Sequence, residues 1–222
     1  MPSELRELFS MTALMVGALF PIVNPLGSAP IFLGLTQGFG PSERALLSRK
    51  IAINGFLLLI ASILIGSHIL GFFGISIPVV QVGGGLVVLA TGWDLLHQHD
   101  ANAGGDSHDA KRSVSAAELS QRAFYPLTLP LTVGPGSISV AITVGANRHL
   151  SPHANWPFYA AILIGPAIVA LSIYLCYRYA ENIARALGPT AMNVILRLAS
   201  FILMCIGVQI LWNGVRELIK AL

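Results

Sequence analysis

Six apolar runs, near residues 5–37, 46–70, 77–97, 120–147, 157–180 and 191–214, fill most of this 222-residue chain. A bilayer's hydrocarbon core takes about 20 apolar residues in helical form, so each run is long enough to cross it. Only 10% of the residues are charged and 55% are hydrophobic, whereas soluble domains carry about 25% charged residues. The expected fold is an all-α polytopic membrane protein with six transmembrane segments. Its Lys and Arg residues lie scattered between apolar runs, which fits basic loops and not a nucleic-acid surface. Cys176 and Cys205 sit inside apolar runs and read as packed small residues rather than a disulfide or metal pair. The N-terminus carries no A-x-A cleavage site, so the first span is expected to stay in the protein.

Even helix counts put both termini on one side. Arg44, Arg49, Lys50, Lys111, Arg112, Arg122, Arg178 and Arg185 fall in or beside the loops joining spans 1–2, 3–4 and 5–6, against Arg6, Arg148, Arg216 and Lys220 opposite. The positive-inside rule then makes those three loops cytoplasmic and places both termini outside. The polar stretch between spans 3 and 4, with Gly, Ser, Ala and Asp, reads as a flexible connector. Three parts follow: residues 1–97 as a first three-span unit, 98–119 as a cytoplasmic connector and 120–222 as a second three-span unit.

Within span 1, "PIVNPLGSAP" (21–30) places three prolines in ten residues, although one proline inside a helix costs about 3 kcal/mol. A shift of 105 residues brings it onto "PLTLPLTVGP" (126–135), matching Pro21, Pro25, Leu26 and Pro30 with Pro126, Pro130, Leu131 and Pro135. The remaining spans align more weakly, pairing Gly55 with Gly165, Ser62 with Ser172 and Gln81 with Arg197. Each half has an odd number of spans, so the duplicate enters the membrane upside down. The architecture expected is two inverted-topology three-helix repeats, with spans 1 and 4 broken by Pro/Gly motifs. Interrupted helices in matching positions point to a secondary transporter with its site near the midplane, because irregular backbone at that depth must be buried in protein or line a cavity.

Pro30 and Pro135 suit the first turn of a helix, so each is expected to open a second half-helix whose amino end meets the other near the centre. Two such ends could hold one carboxylate through free N–H groups and dipole. Asn24, Ser28, Thr128, Thr132, Ser137 and Ser139 add neutral hydrogen-bonding groups, while Gly27, Gly134 and Gly136 allow close approach to the backbone and Pro25 helps form the break. These residues describe a site for a small polar molecule or zwitterion.

At "FPIVNPLGSAPIFLGLT", "FGISIPVVQVGGGLVVLATGWDLL", "YPLTLPLTVGPGSISVAITV" and "ILRLASFILMCIGVQILWNG", the chain resembles the MarC family, also described as six-span neutral amino acid transporters. The resemblance covers most of the chain outside the loops. It implies a multi-pass protein of the bacterial or archaeal plasma membrane that moves glycine, alanine and similar amino acids on a proton or ion gradient. It also implies a basic residue where this chain has Gln81, mirroring Arg197; the substitution alters the charge symmetry of the site. The older family name refers to antibiotic resistance, and nothing in the sequence supports a drug pump.

Arg197 is the one basic residue inside a span, placed either to snorkel or to meet a carboxylate or gate. Asp94 is the acid nearest to a span interior. With no cofactor expected, coupling falls to protons, through Asp94 or bound water, or to sodium held by unwound carbonyls. Asn54 and Gln209 read as interhelical partners and Gly83, Gly84 and Gly85 as close-packing positions. His97, His99, Asp100, His108 and Asp109 lie in or beside a connector that offers nothing to orient metal ligands. No paired acids and no H-E-x-x-H pattern support an enzyme, and His68 has no orienting acid. A passive channel or an exporter of small polar solutes is the alternative to the carrier. The partners expected are the amino acid and the lipid bilayer, with no nucleic acid; apolar faces allow a homo-oligomer without giving a subunit count.

Overall fold

The computed structural model describes residues 3–36, 38–101, 116–146 and 156–220. Helix α1 (Ser3–Val23) leads through Asn24 into α2 (Pro25–Leu35), followed by α3 (Pro41–Phe72) and α4 (Ile77–Ala101). The second half holds α5 (Ala116–Arg122), a wide-turned coil (Ala123–Thr132), α6 (Pro135–Ala146), α7 (Trp156–Arg178) and α8 (Ala180–Lys220). Among the described residues there is no strand. Five spans are long and apolar enough to cross a membrane, and α5, the coil and α6 make a sixth that bends by 71°. Most of the connector, residues 102–115 with His108 and Asp109, lies outside the described residues.

Local chemistry sets the boundaries. At the start of α3, the Gly40 amide donates to Glu43 Oε2 at 2.8 Å and Pro41 occupies the first helical position, where a missing N–H costs nothing. Gly188 interrupts α8 at φ +70°, a conformation glycine adopts without a Cβ penalty, so span 6 itself runs from Asn193 to Lys220.

The core lies where α1, α3 and α7 meet. Met15, Leu19, Val23, Leu47, Ile51, Leu59, Val169 and Ile173 are buried there. Helices α4 and α8 form a separate seam: a methyl added at Gly85 would lie 2.5 Å from Leu211 N, and one at Gly207 2.5 Å from Leu89 N. Between apolar helices in lipid, attraction comes from close van der Waals contact, which small residues permit. The expected packing role therefore holds at Gly85, and at Gly84, whose Cβ position meets Ser139; Gly83 has nothing within 4 Å. Large apolar side chains such as Phe72 (86% exposed) and Leu14 (71%) face outward, as befits a protein whose solvent is hydrocarbon.

Cys176 and Cys205 are both free thiols, the first partly buried and the second facing outward from α8 rather than packed inside. Gln209 bonds Asn213 one turn along its own helix, at 2.9 Å. Its partner is not the neighbouring helix expected, because an outward-facing amide in span 6 finds its nearest acceptor on its own surface.

Candidate functional site

The two proline segments break differently. In the first, Asn24 takes the left-handed conformation (φ 45°, ψ 60°), accepts from Gly27 N through Oδ1 at 3.2 Å, and leaves Pro25 at the first position of α2. Its carbonyl accepts from Ser28 Oγ at 3.0 Å. Pro30 therefore lies inside α2, not at its start as expected. Asparagine, which tolerates φ > 0 and caps with its own side chain, moved the break five residues earlier.

In the second segment, Tyr125 and Leu129, each preceding a proline, are extended, as the steric restriction before proline requires. The Tyr125–Pro126 and Leu129–Pro130 peptides are cis. Threonines supply donors that the prolines lack: Thr128 Oγ1 donates to Ala123 O at 2.6 Å and Thr132 Oγ1 to Leu127 O at 2.7 Å. Val133 is extended and fully buried. Pro135 then opens α6, where it was expected.

A cavity of about 250 Å³ lies in the elbow of this second break. Pro130, Leu131, Thr132, Gly134, Pro135, Gly136 and Ser137 form one wall; Val87, Val88 and Thr91 of α4, Leu203 of α8 and Ile22 of α1 form the others. No charged side chain is among these lining residues. The first-turn amides of Gly136 and Ser137 lie at a helix start, where N–H groups have no partner within the helix, and the Thr91, Thr132 and Ser137 hydroxyls complete the polar set. This arrangement offers donors and neutral acceptors to a small polar solute in an otherwise apolar chamber.

Of the residues singled out from sequence, Thr132, Gly134, Gly136 and Ser137 line this cavity, while Asn24, Pro25, Gly27, Ser28 and Thr128 lie outside its lining. The amino end of α2 is occupied by its own cap: a methyl at Gly27 would lie 2.3 Å from Asn24 Nδ2. The space beside Gly136 is likewise taken, with Val88 Cγ2 2.1 Å from the same position. Ser139 is turned toward α4, donating to Val80 O at 2.9 Å. Gln81, Asp94 and Arg197 do not line the cavity; Gln81 is half-buried on α4, and Asp94 and Arg197 are exposed. His97 stays against its own helix, 2.9 Å from Trp93 O.

One residue escaped the sequence. Tyr177, 2% exposed, stacks on Phe32 of α2 with ring centroids 4.6 Å apart. Its hydroxyl lies 2.8 Å from Thr132 Oγ1 and also interacts with the Ser28 hydroxyl. Since Thr132 gives its proton to Leu127 O, Tyr177 is the donor to Thr132. A single phenol thus ties the first break to the second. The signal was present in the fourfold spacing of Gly165, Val169, Ile173 and Tyr177, all buried on one face of α7, but nothing local marks Tyr177 among the tyrosines at that end of the span.

The bundle and its chamber define a polytopic α-helical integral membrane protein with a small-solute cavity beside an interrupted span. The chain belongs to the MarC family of integral membrane proteins, whose family model matches residues 9–219. It is similar to the UPF0056 membrane protein YvbG of Bacillus subtilis (strain 168), 33% identical over 216 residues covering 97% of this chain and 99% of that protein. It is also similar to the UPF0056 inner membrane protein MarC of Salmonella typhimurium (strain LT2), 31% identical over 222 residues with the same coverage. The MarC protein of Salmonella arizonae is 32% identical over 218 residues, again covering 97% of this chain and 99% of the relative. No solved structure matches the chain.

Proposed function

We propose that this protein is a secondary active transporter, not an enzyme, and that it carries small neutral amino acids of the glycine and alanine type across the plasma membrane, both termini facing outward. The observation that carries this reading is the cavity at the second break, with its threonine and serine hydroxyls, the first-turn amides of α6 and no charged lining residue. The α-carboxylate would take the Gly136 and Ser137 amides, and the ammonium the hydroxyl and carbonyl oxygens of the coil. Two helix amino ends sharing one carboxylate, as first expected, gives way to one end, since α2 is already capped by Asn24. Coupling to protons or to sodium are both compatible with this lining.

The helix pairings support an inverted repeat. Exchanging α1 with α5 and its coil, α2 with α6, α3 with α7 and α4 with α8 converts the α1–α7 contact into the coil–α3 contact, α2–α7 into α6–α3, and α2–α8 into α6–α4. The α3–α7 and α4–α8 contacts map onto themselves, and all of these pairings occur. Such a frame suits alternating access around a site at a broken helix.

The test is uptake of radiolabelled glycine and alanine into proteoliposomes under an imposed proton gradient, a sodium gradient or neither, in wild type and in Thr91→Leu. Accumulation with one gradient, lost in the variant, is the expected result. Unchanged uptake in Thr91→Leu would sink the placement of substrate in the cavity. Flux that neither saturates nor follows a gradient would identify a passive channel, and no uptake under any condition would direct the assay to export of small polar solutes.

A further inference from the structure

A second recess, of about 570 Å³, lies between α3 and α7 at the surface of the bundle and shares no lining residue with the cavity at the second break. Ala52 and Phe56 form one wall and Ala170 and Leu171 the other, with Arg49 at one end. The two helices run antiparallel. Arg44, near the start of α3, pairs with Glu181 beyond the end of α7 at 3.1 Å, and three turns on, the Cβ position of Gly55 lies 3.6 Å from Ile173. This register brings Arg178 to the level of Arg49, at the same end of the recess.

The charges at that end are unbalanced. Arg44 is met by Glu181, but among the described residues neither Arg49 nor Arg178 has an acidic partner, and both are exposed. Below them the apolar slot runs from Arg49 to Phe56, about 10 Å along the helix axis, and the small alanines on both helices leave it open. A guanidinium fork matches phosphate oxygens, and basic pockets between spans at a membrane face hold lipid head groups. No carboxylate lines the recess to receive the ammonium of a zwitterionic lipid. We propose that the α3–α7 recess binds one anionic phospholipid, with its phosphate on Arg49 and Arg178 and one acyl chain lying along Ala52, Phe56, Ala170 and Leu171. The proposal is independent of what the protein transports.

The full-length protein, purified in a non-ionic detergent, is incubated with phosphatidylglycerol or with phosphatidylcholine of identical acyl chains, and retained lipid is read by native mass spectrometry. Wild type is expected to retain one phosphatidylglycerol at least tenfold more readily than phosphatidylcholine. An R49A/R178A double variant should lose that preference, and Ala170→Trp, which fills the slot without touching either charge, should lower retention to a similar degree. The two variants act at opposite ends of the recess, so poor folding of one leaves the other to decide. Equal retention of both lipids by wild type, or phosphatidylglycerol retention unaltered in both variants, would overturn the proposal. So would a dimer, detected by light scattering, that Ala170→Trp dissociates without changing lipid retention, since a second copy of the chain would then cover this face.

Discussion

The first broken span turns at one residue, whereas the second spreads its turn from Ala123 to Gly134 and bends by 71°. Both carry prolines at the same three relative positions, so proline alone does not decide where or how a span breaks. The neighbours do. At the position of Asn24 the second copy has Leu129, which can neither cap nor rest in the left-handed region, and it stays extended before its proline. At the positions of Val23 and Gly27 the second copy has Thr128 and Thr132, whose hydroxyls hold the coil open by reaching five residues back. One copy closes its break with a side-chain amide and buries it; the other keeps its break open, and a cavity forms there.

The comparison can be broken most forcefully at Thr132. Thr132→Val keeps the shape but removes the hydroxyl that bonds both Leu127 O and the Tyr177 hydroxyl, the loss of each buried bond being worth about 1–3 kcal/mol when its partner is left under-satisfied. A drop of about 3 kcal/mol in unfolding free energy in detergent is expected, together with loss of uptake; unchanged stability would mean that the hydroxyl does not hold the coil. Asn24→Leu installs the second copy's residue in the first break. It combines left-handed strain of about 1–2 kcal/mol with loss of a cap worth about 1 kcal/mol, so a cost of about 2 kcal/mol is expected from denaturant titration.

Tyr177→Phe separates the two breaks while preserving the stack on Phe32, and thermal unfolding should register about 1 kcal/mol, the net worth of one buried hydrogen bond. A cost equal to that of Thr132→Val would show that the link between the breaks, not the coil's own bonds, carries the stability. The smallest effect belongs to Asn24→Gly, which keeps the left-handed conformation and loses only the cap, a few tenths of a kcal/mol. If Asn24→Gly costs as much as Asn24→Leu, the pivot depends on the Asn24 side chain and not on its backbone.

Much of this was legible beforehand. The apolar runs near 46–70 and 157–180 fall within or alongside α3 and α7, and the run near 120–147 corresponds to the bent pair ending at Ala146, because length and hydropathy are local properties that the bilayer reads directly. Pro135 opens α6 as expected, because Thr132 turns its hydroxyl back to Leu127 O and Val133 stays extended, so no earlier turn begins. Pro30 does not open α2, because the choice between Pro25 and Pro30 turned on the Asn24 side chain bonding three residues ahead. The asymmetry of the cavity and the role of Tyr177 were not legible, as both arise from α4, α7 and α8 meeting segments distant in sequence.

The sequence by itself determined a six-span helical membrane protein with two proline-broken segments, because apolar length and missing backbone donors act through the chain's own neighbours. The tertiary structure decided which break stays open, since Val87, Val88, Thr91 and Leu203 enclose the second elbow while the α2 amino end is filled by Asn24. It also decided that one buried phenol, from a helix with no break at Tyr177, joins the two segments. Packing between helices far apart in sequence depends on which faces come together, and that is a property of the assembled bundle.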